Sequence, residues 1–141
     1  HALFVQTFSY LSCLILIKAE WTQADMTLLG VNFLASLSGQ LAQQLRDFKV
    51  DSDTDTNFAT TVGIGWTVAC LRVVTAALVI LVVTTLLTGT IPMYLAPFAV
   101  AFVPTAALRI RGRGGPEFRR LGTYTTVAAL FYMVLLLAIS L

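Results

Sequence analysis

Acidic side chains are concentrated in one short stretch of this chain, residues 46–57. Four of the seven acidic residues lie there: Asp47, Asp51, Asp53 and Asp55. Three of them are spaced four residues apart, so on a helix they share one face, where like charges at this spacing cost about 0.2–0.5 kcal/mol per pair. A divalent cation removes that repulsion, and carboxylates combined with phosphate oxygens are ligands that Mg²⁺ prefers. The spacing therefore makes Asp47, Asp51 and Asp55 candidate ligands of a divalent cation that is shared with phosphate oxygens.

Two basic residues, Arg46 and Lys49, alternate with these carboxylates. Their positive charges suit the remaining phosphate oxygens of such a ligand, and Asp53 is a further candidate contact. A calcium loop is excluded, because Thr56 stands where such a loop needs glycine and Val62 where it needs glutamate. An acidic loop that is merely solvated, with no ligand, is the alternative interpretation. No catalytic acid or base is assigned.

The rest of the chain is strongly apolar. It has 141 residues, 57% hydrophobic and 11% charged, with a mean hydropathy of +0.84, which excludes a soluble globular domain. We expect a single all-α integral membrane domain over residues 1–141, surrounded by lipid and without a nucleic-acid partner. Cys13 and Cys70 both lie in apolar segments, so we interpret them as small buried hydrophobic residues.

Apolar stretches predict about five transmembrane helices. Their expected bounds are Ala2–Ile17, Met26–Leu45, Trp66–Leu87, Ile91–Leu108 and Leu121–Leu141. The third helix is expected to start before the membrane, near residue 58, because residues 58–89 are too long for one span. The uncharged turn at 88–92 predicts an antiparallel hairpin, and two prolines, Pro97 and Pro104, are expected to bend the fourth helix.

The second predicted span carries a line of polar residues. Asn32, Gln40 and Gln44 are separated by multiples of four residues, and Gln43 extends the line toward Asp47. Such a line lies near one helix face, which in a membrane must face protein or water. Two interpretations remain open. The line is either the wall of a polar cavity leading from the aspartates, or a set of hydrogen-bonding groups that join neighbouring helices.

The basic residues predict the topology. With five spans, Arg46, Lys49 and the five arginines of the 109–120 loop fall on one side, and Lys18 falls on the other. By the positive-inside rule, the aspartate loop and the 109–120 basic loop are cytoplasmic, and the C-terminus lies on the opposite side. A basic loop is typical of contact with anionic lipid, and beside aspartates it also suits a phosphate-bearing substrate.

From about residue 28 onward the chain resembles the C-terminal half of the UbiA superfamily of intramembrane prenyltransferases. That family's second aspartate motif has the form D-x-x-x-D, followed by a threonine-rich step into an apolar helix. Here it reads Asp47-Phe48-Lys49-Val50-Asp51, with the step over residues 58–63. The hairpin, the basic loop and the final span follow in the family's order.

The resemblance implies that this chain is half of a UbiA-type bundle of about nine helices. It also implies that the complete bundle uses Mg²⁺ to transfer a prenyl group from a polyprenyl diphosphate to an acceptor. The family's first motif, which usually begins with Asn-Asp, is absent from this sequence. The expected partner is therefore an N-terminal half or companion chain that carries it. The sequence does not identify the acceptor or the prenyl length.

Two other classes of function remain. The chain is alternatively a non-enzymatic accessory or scaffold subunit of a larger membrane complex, in which the aspartates form a solvated loop. A transporter with Arg72 and the glutamines along its path is a weaker interpretation, because Arg72 lies close enough to the membrane surface to extend its charge into water.

Overall fold

The computed structural model describes residues 2–17, 20–51, 56–111 and 116–140, with side chains omitted for 2–6, 116–121 and 140. The α-helices are α1 (Ala2–Ile17), α2 (Gln23–Asp51), α3 (Phe58–Val62), α4 (Ile64–Leu87), α5 (Ala96–Arg111) and α6 (Pro116–Ser140), with a 3₁₀ turn at Met93–Leu95. These described segments contain no strand. The prediction of an all-α fold is confirmed.

The helices pack mainly in chain order. α2 contacts α1 and α4, α4 contacts α5, and α5 contacts α6. A small core between α2 and α4 is built on Leu41, Ala42 and Leu71, with Cys70 packed beside it. The prediction for Cys70 agrees with this position. The prediction for Cys13 is wrong, because its side chain is exposed on α1, which has α2 as its main packing partner.

Three helices are long and apolar enough to cross a membrane: Ile64–Leu87, Met93–Arg111 and Gly122–Ile139. The predicted bundle of five spans is therefore supported for three of them. The described apolar part of α1, Thr7–Ile17, is short, and α2 is a single helix of 29 residues whose amides and charges lower its hydropathy.

The outward face of α4 is a continuous apolar ridge. Trp66, Val73, Ile80 and Leu87 follow one another at intervals of seven residues, and their side chains are 65–80% exposed. Residues seven apart lie on nearly the same side of an α-helix. An apolar ridge that starts with a tryptophan is typical of a helix face in contact with lipid, with the indole at the membrane surface.

The sequence predicted one helix from residue 58 to residue 87. The structure has two helices in this segment, α3 and α4. Asn57 caps α3, which ends at Val62, and α4 begins after Gly63. Gly63 has φ +88° and ψ 161°, a backbone conformation that essentially only glycine adopts. The prediction of one continuous helix was wrong because it did not account for this glycine.

We predict that Gly63→Ala destabilises the protein by about 1–3 kcal/mol. A Cβ added at Gly63 meets no atom within 4 Å, so the cost comes from backbone strain alone. Gly65→Ala is the matched control: its Cβ also has open space, and alanine is favoured over glycine inside a helix by about 0.5–1 kcal/mol. The free energy of unfolding in mixed detergent micelles measures both. Equal effects of the two substitutions would contradict the assignment of strain to Gly63.

The turn after α4 forms the predicted antiparallel hairpin. Gly89 has φ +70°, and the Ile91 N–H donates to the Thr85 carbonyl at 3.2 Å, so the helix end is closed by backbone hydrogen bonds. Pro97 lies in the first turn of α5, where its missing N–H costs nothing. Pro104 lies inside the helix, and the expected bends at Pro97 and Pro104 stay predictions.

Candidate functional site

The residues singled out from the sequence lie along one helix. The structure places on α2 the predicted stripe and the first part of the acidic stretch, namely Asn32, Gln40, Gln43, Gln44, Arg46, Asp47, Lys49 and Asp51. Asp51 is the last residue of α2. The other two predicted contributors, Asp53 and Asp55, lie outside the described residues.

Asp47 is held by an arginine. The Arg46 Nε donates to Oδ1 of Asp47 at 2.7 Å, and Nη2 donates to Oδ2 at 2.8 Å. The pair is open to solvent, with side-chain exposures of 45% for Arg46 and 34% for Asp47. The hydrogen bonds from Arg46 lower the pKa of Asp47, with a smaller contribution from Gln43. Asp47 is therefore charged at neutral pH, and its two oxygens are engaged by a group that a cation would have to displace.

Asp51 is held by a neutral group instead. The Asn57 Nδ2 donates to Oδ2 of Asp51 at 2.9 Å. The same side chain accepts, through Oδ1, a hydrogen bond from the Thr60 N–H at 3.0 Å, and thereby caps α3. Within the described part of the chain, no other hydrogen bond to the Asp51 carboxylate is present. The end of α2 and the start of α3 are thus joined through one amide.

The two carboxylates are unfavourably placed for an isolated helix. Asp47 and Asp51 are one turn apart, where like charges repel. They also lie at the C-terminal end of α2, where the helix dipole already carries about half a negative charge. Arg46, Lys49 and the amide of Asn57 offset part of this negative charge. An added cation would remove more of it.

This donor set fits magnesium bound together with a phosphate-bearing molecule. Mg²⁺ usually takes one or two protein carboxylates and completes its shell with phosphate oxygens and water. Among the described residues there is no group of three histidine, cysteine, aspartate or glutamate side chains that could hold a metal. Asp47 and Asp51 supply two carboxylates among these residues, so a metal held there would need further ligands from elsewhere.

The polar stripe faces away from α4 and α5. Since an α-helix turns about 100° per residue, Gln40 and Asp47 lie about 160–180° around α2 from Ser38, which faces α5. Gln44 lies nearer the packed side, and its Oε1 is buried without a hydrogen bond from any described residue. If the stripe is one wall of a cavity, α4 and α5 do not provide the opposite wall.

The other interpretation of the stripe is hydrogen bonding between helices. Among the described residues, the side-chain hydrogen bond of Asn32 is made within α2 instead. The Ser36 Oγ donates to the Asn32 Oδ1 at 3.3 Å, and both residues belong to α2. The two interpretations of the stripe therefore both remain.

Two arginine side chains join the C-terminal end of α5 to neighbouring helices. The sequence analysis did not predict either contact. Arg109 donates to the Ser38 Oγ on α2, and its guanidinium lies 5.2 Å from the centre of the Phe102 ring, a cation–π distance. Arg72 on α4 donates from Nε to the Ile110 carbonyl at 2.9 Å. Residues 109–111, which the sequence assigned to the basic loop, are instead the end of α5, and this end is held against α2 and α4.

The position of Arg72 differs from the one that the transporter interpretation expects, which is along a polar path with the glutamines. It is exposed and bonds the last carbonyls of α5, including that of Arg111 at 3.4 Å. Sequence reasoning missed both arginine contacts, because they join residues 38 to 71 positions apart with no shared local pattern.

Taken together, the fold defines an all-helical protein with three helices able to cross a membrane. Comparison with protein-family models, with curated proteins and with solved structures found no match. The resemblance to UbiA-type prenyltransferases therefore stays a prediction from the motif.

Proposed function

We propose that this chain is part of an intramembrane prenyltransferase of the UbiA type. It would transfer a prenyl group from a polyprenyl diphosphate to an acceptor. The observation that carries the proposal is the pair Asp47 and Asp51. They are one turn apart near the C-terminal end of α2, where a bound cation would relieve their mutual repulsion and add to the stabilisation that Arg46 already gives Asp47.

Asp47 and Asp51 hold magnesium in this proposal, with Asp55 as a further ligand and Asp53 near the diphosphate. Arg46 and Lys49 contact phosphate oxygens. When bound, the cation supplies positive charge that neutralises the diphosphate as it leaves. The bond between the allylic carbon and the diphosphate oxygen breaks, the electron pair stays with diphosphate, and the acceptor forms a new bond to that carbon and loses a proton.

The apolar helices have a role in the same reaction. An allylic cation reacts with water, so transfer to another acceptor needs a site that water does not reach. Three described helices are long and apolar enough to lie in lipid, and their side chains suit a prenyl tail. The second wall of the site, opposite the stripe of Gln40 and Gln44, belongs in this proposal to an N-terminal half or companion chain.

Transfer of a labelled prenyl group by the complete assembly in lipid nanodiscs tests the proposal. We expect transfer with Mg²⁺ and at least a tenfold loss after chelation with EDTA, restored by added Mg²⁺. Transfer that is unchanged by EDTA would contradict the proposal.

The accessory-subunit alternative has one observation in its favour. Arg46 already engages both carboxylate oxygens of Asp47, and Asn57 donates to one oxygen of Asp51, without any ligand. This alternative predicts that a complete complex with Mg²⁺, polyprenyl diphosphates and candidate acceptors shows no transfer and no binding of diphosphate.

A further inference from the structure

Two exposed arginines meet at the C-terminal end of α5. The Arg72 Nε donates to the Ile110 carbonyl at 2.9 Å, and its Nη2 donates to the Arg111 carbonyl at 3.4 Å. The guanidinium of Arg72 therefore lies beside the backbone of Arg111. Both side chains are exposed, and neither makes an ion pair with any residue that the structure describes. This helix end thus carries two positive charges with no acidic partner in the described part of the chain.

The contacts at this helix end leave hydrogen-bonding capacity at both arginines. Capping of α5 uses Nε and Nη2 of Arg72, whereas its Nη1 makes no hydrogen bond to a described residue. The side chain of Arg111 likewise makes none within the described ranges. Cations are favoured near a helix C-terminus, so capping accounts for the position of Arg72. The exposed guanidinium of Arg111 has donors left over, and planar guanidinium groups match phosphate oxygens.

Arg72 also belongs to the exposed, apolar face of α4. It follows Trp66 by six residues, which is about 9 Å along a helix, and it directly precedes Val73 on the apolar ridge. The ridge continues from there to Ile80 and beyond. The other end of the hairpin, residues 88–92, contains no charged residue. A ligand with an anionic head and an apolar tail therefore matches this surface along its length.

We propose that Arg72 and Arg111 bind the headgroup phosphate of an anionic phospholipid, whose acyl chains lie along the apolar ridge of α4. Arginines at the membrane surface attract anionic headgroups, and basic positions between transmembrane helices bind them. A soluble phosphate compound would match only the arginines, whereas a lipid matches the ridge as well. The site lies on α4 and α5 and is independent of the carboxylates on α2.

Photo-crosslinking from position 73 reports a lipid bound beside Arg72. A benzophenone amino acid replaces Val73, and the complete assembly in mixed detergent micelles is titrated with radiolabelled phosphatidylglycerol or phosphatidylcholine. We expect phosphatidylglycerol to reach half-saturation at a concentration at least about fivefold lower, since each arginine near a membrane surface contributes about that factor to the binding of anionic lipid.

Arg111→Gln is the sharpest variant, because it removes a charge and leaves the backbone carbonyls that Arg72 bonds. We expect it to weaken phosphatidylglycerol binding about fivefold and to leave phosphatidylcholine binding unchanged. Arg111→Lys keeps the charge and is expected to retain most of the affinity. Arg46→Gln is the matched control: it removes a charge that is already paired with Asp47, so a loss below about twofold is expected.

Four results would overturn the inference. The first is equal half-saturation by the two lipids in the wild type. The second is an unchanged affinity for phosphatidylglycerol in Arg111→Gln, or an equal loss for both lipids, which would indicate a structural effect. The third is displacement by inorganic phosphate as effective as that by unlabelled phosphatidylglycerol, which would indicate a site for phosphate alone. The fourth is cross-linking of position 73 to another protein chain instead of lipid, which would indicate a protein interface.

Discussion

Replacement of Asp51 by asparagine is expected to lower prenyl transfer by about 100-fold or more. A metal at the leaving group contributes several kcal/mol to stabilisation of the developing charge, and about 2.7 kcal/mol corresponds to a factor of 100. Asparagine keeps the size of the side chain and can still accept from Nδ2 of Asn57, so the local structure is expected to persist. The initial rate of transfer in saturating Mg²⁺ measures the effect.

Glu20→Gln is the matched control for Asp51→Asn. Like Asp51→Asn, it replaces a carboxylate by the corresponding amide and removes one negative charge, here from an exposed residue just before α2. Exposed substitutions usually change free energies by about 0.5 kcal/mol or less, a factor of about two. Full activity of Asp51→Asn, or an equal loss in Glu20→Gln, would contradict the assignment of Asp51 to the site.

The second large effect concerns the buried contact between α5 and α2. Ser38→Ala is expected to destabilise the bundle by about 1.5–3 kcal/mol, the usual cost of losing a hydrogen bond to a charged group. Ser38 is 0% exposed and accepts from Arg109, so its replacement leaves a guanidinium inside the bundle with one acceptor fewer. The free energy of unfolding in mixed detergent micelles measures this cost.

Ser36→Ala provides the same chemical change two residues away on α2. Its hydroxyl donates to Asn32 at the longer distance of 3.3 Å and is half-buried, and side-chain hydrogen bonds in membrane helices average about 0.6 kcal/mol. We therefore expect a cost below about 1 kcal/mol. A cost for Ser36→Ala that equals that for Ser38→Ala would show that the contact with Arg109 does not stabilise the bundle.

The helical class and the approximate positions of α1, α5 and α6 followed from hydropathy, because apolar runs of span length rarely form other structures. The second helix was predicted to end at Leu45 but continues to Asp51, so part of the acidic stretch is helical. The hairpin at 88–92 followed from an uncharged turn between two such runs. The break at Gly63 did not, since glycine in an apolar run is compatible with both a continuous helix and a break.

The carboxylate pair of the candidate site was predicted, but its environment was not. Spacing alone placed Asp47 and Asp51 on one face of a helix. It did not show that Arg46 holds Asp47 while Asn57 holds Asp51. The Asn57 contact joins residues six positions apart, and the local signal for it is the capping pattern of Asn57 with Thr60. Asp53 and Asp55 remain predictions, because they lie outside the described residues.

In the proposed function, Asp47 and Asp51 bind a magnesium–diphosphate group. Equilibrium binding of a radiolabelled polyprenyl diphosphate to the complete assembly in nanodiscs, titrated with Mg²⁺, tests it most directly. The proposal predicts that binding rises with Mg²⁺ and that the double variant Asp47→Asn/Asp51→Asn binds at least about tenfold more weakly at each concentration. Binding that is equally tight in EDTA, or equally tight in the double variant, would contradict the claim.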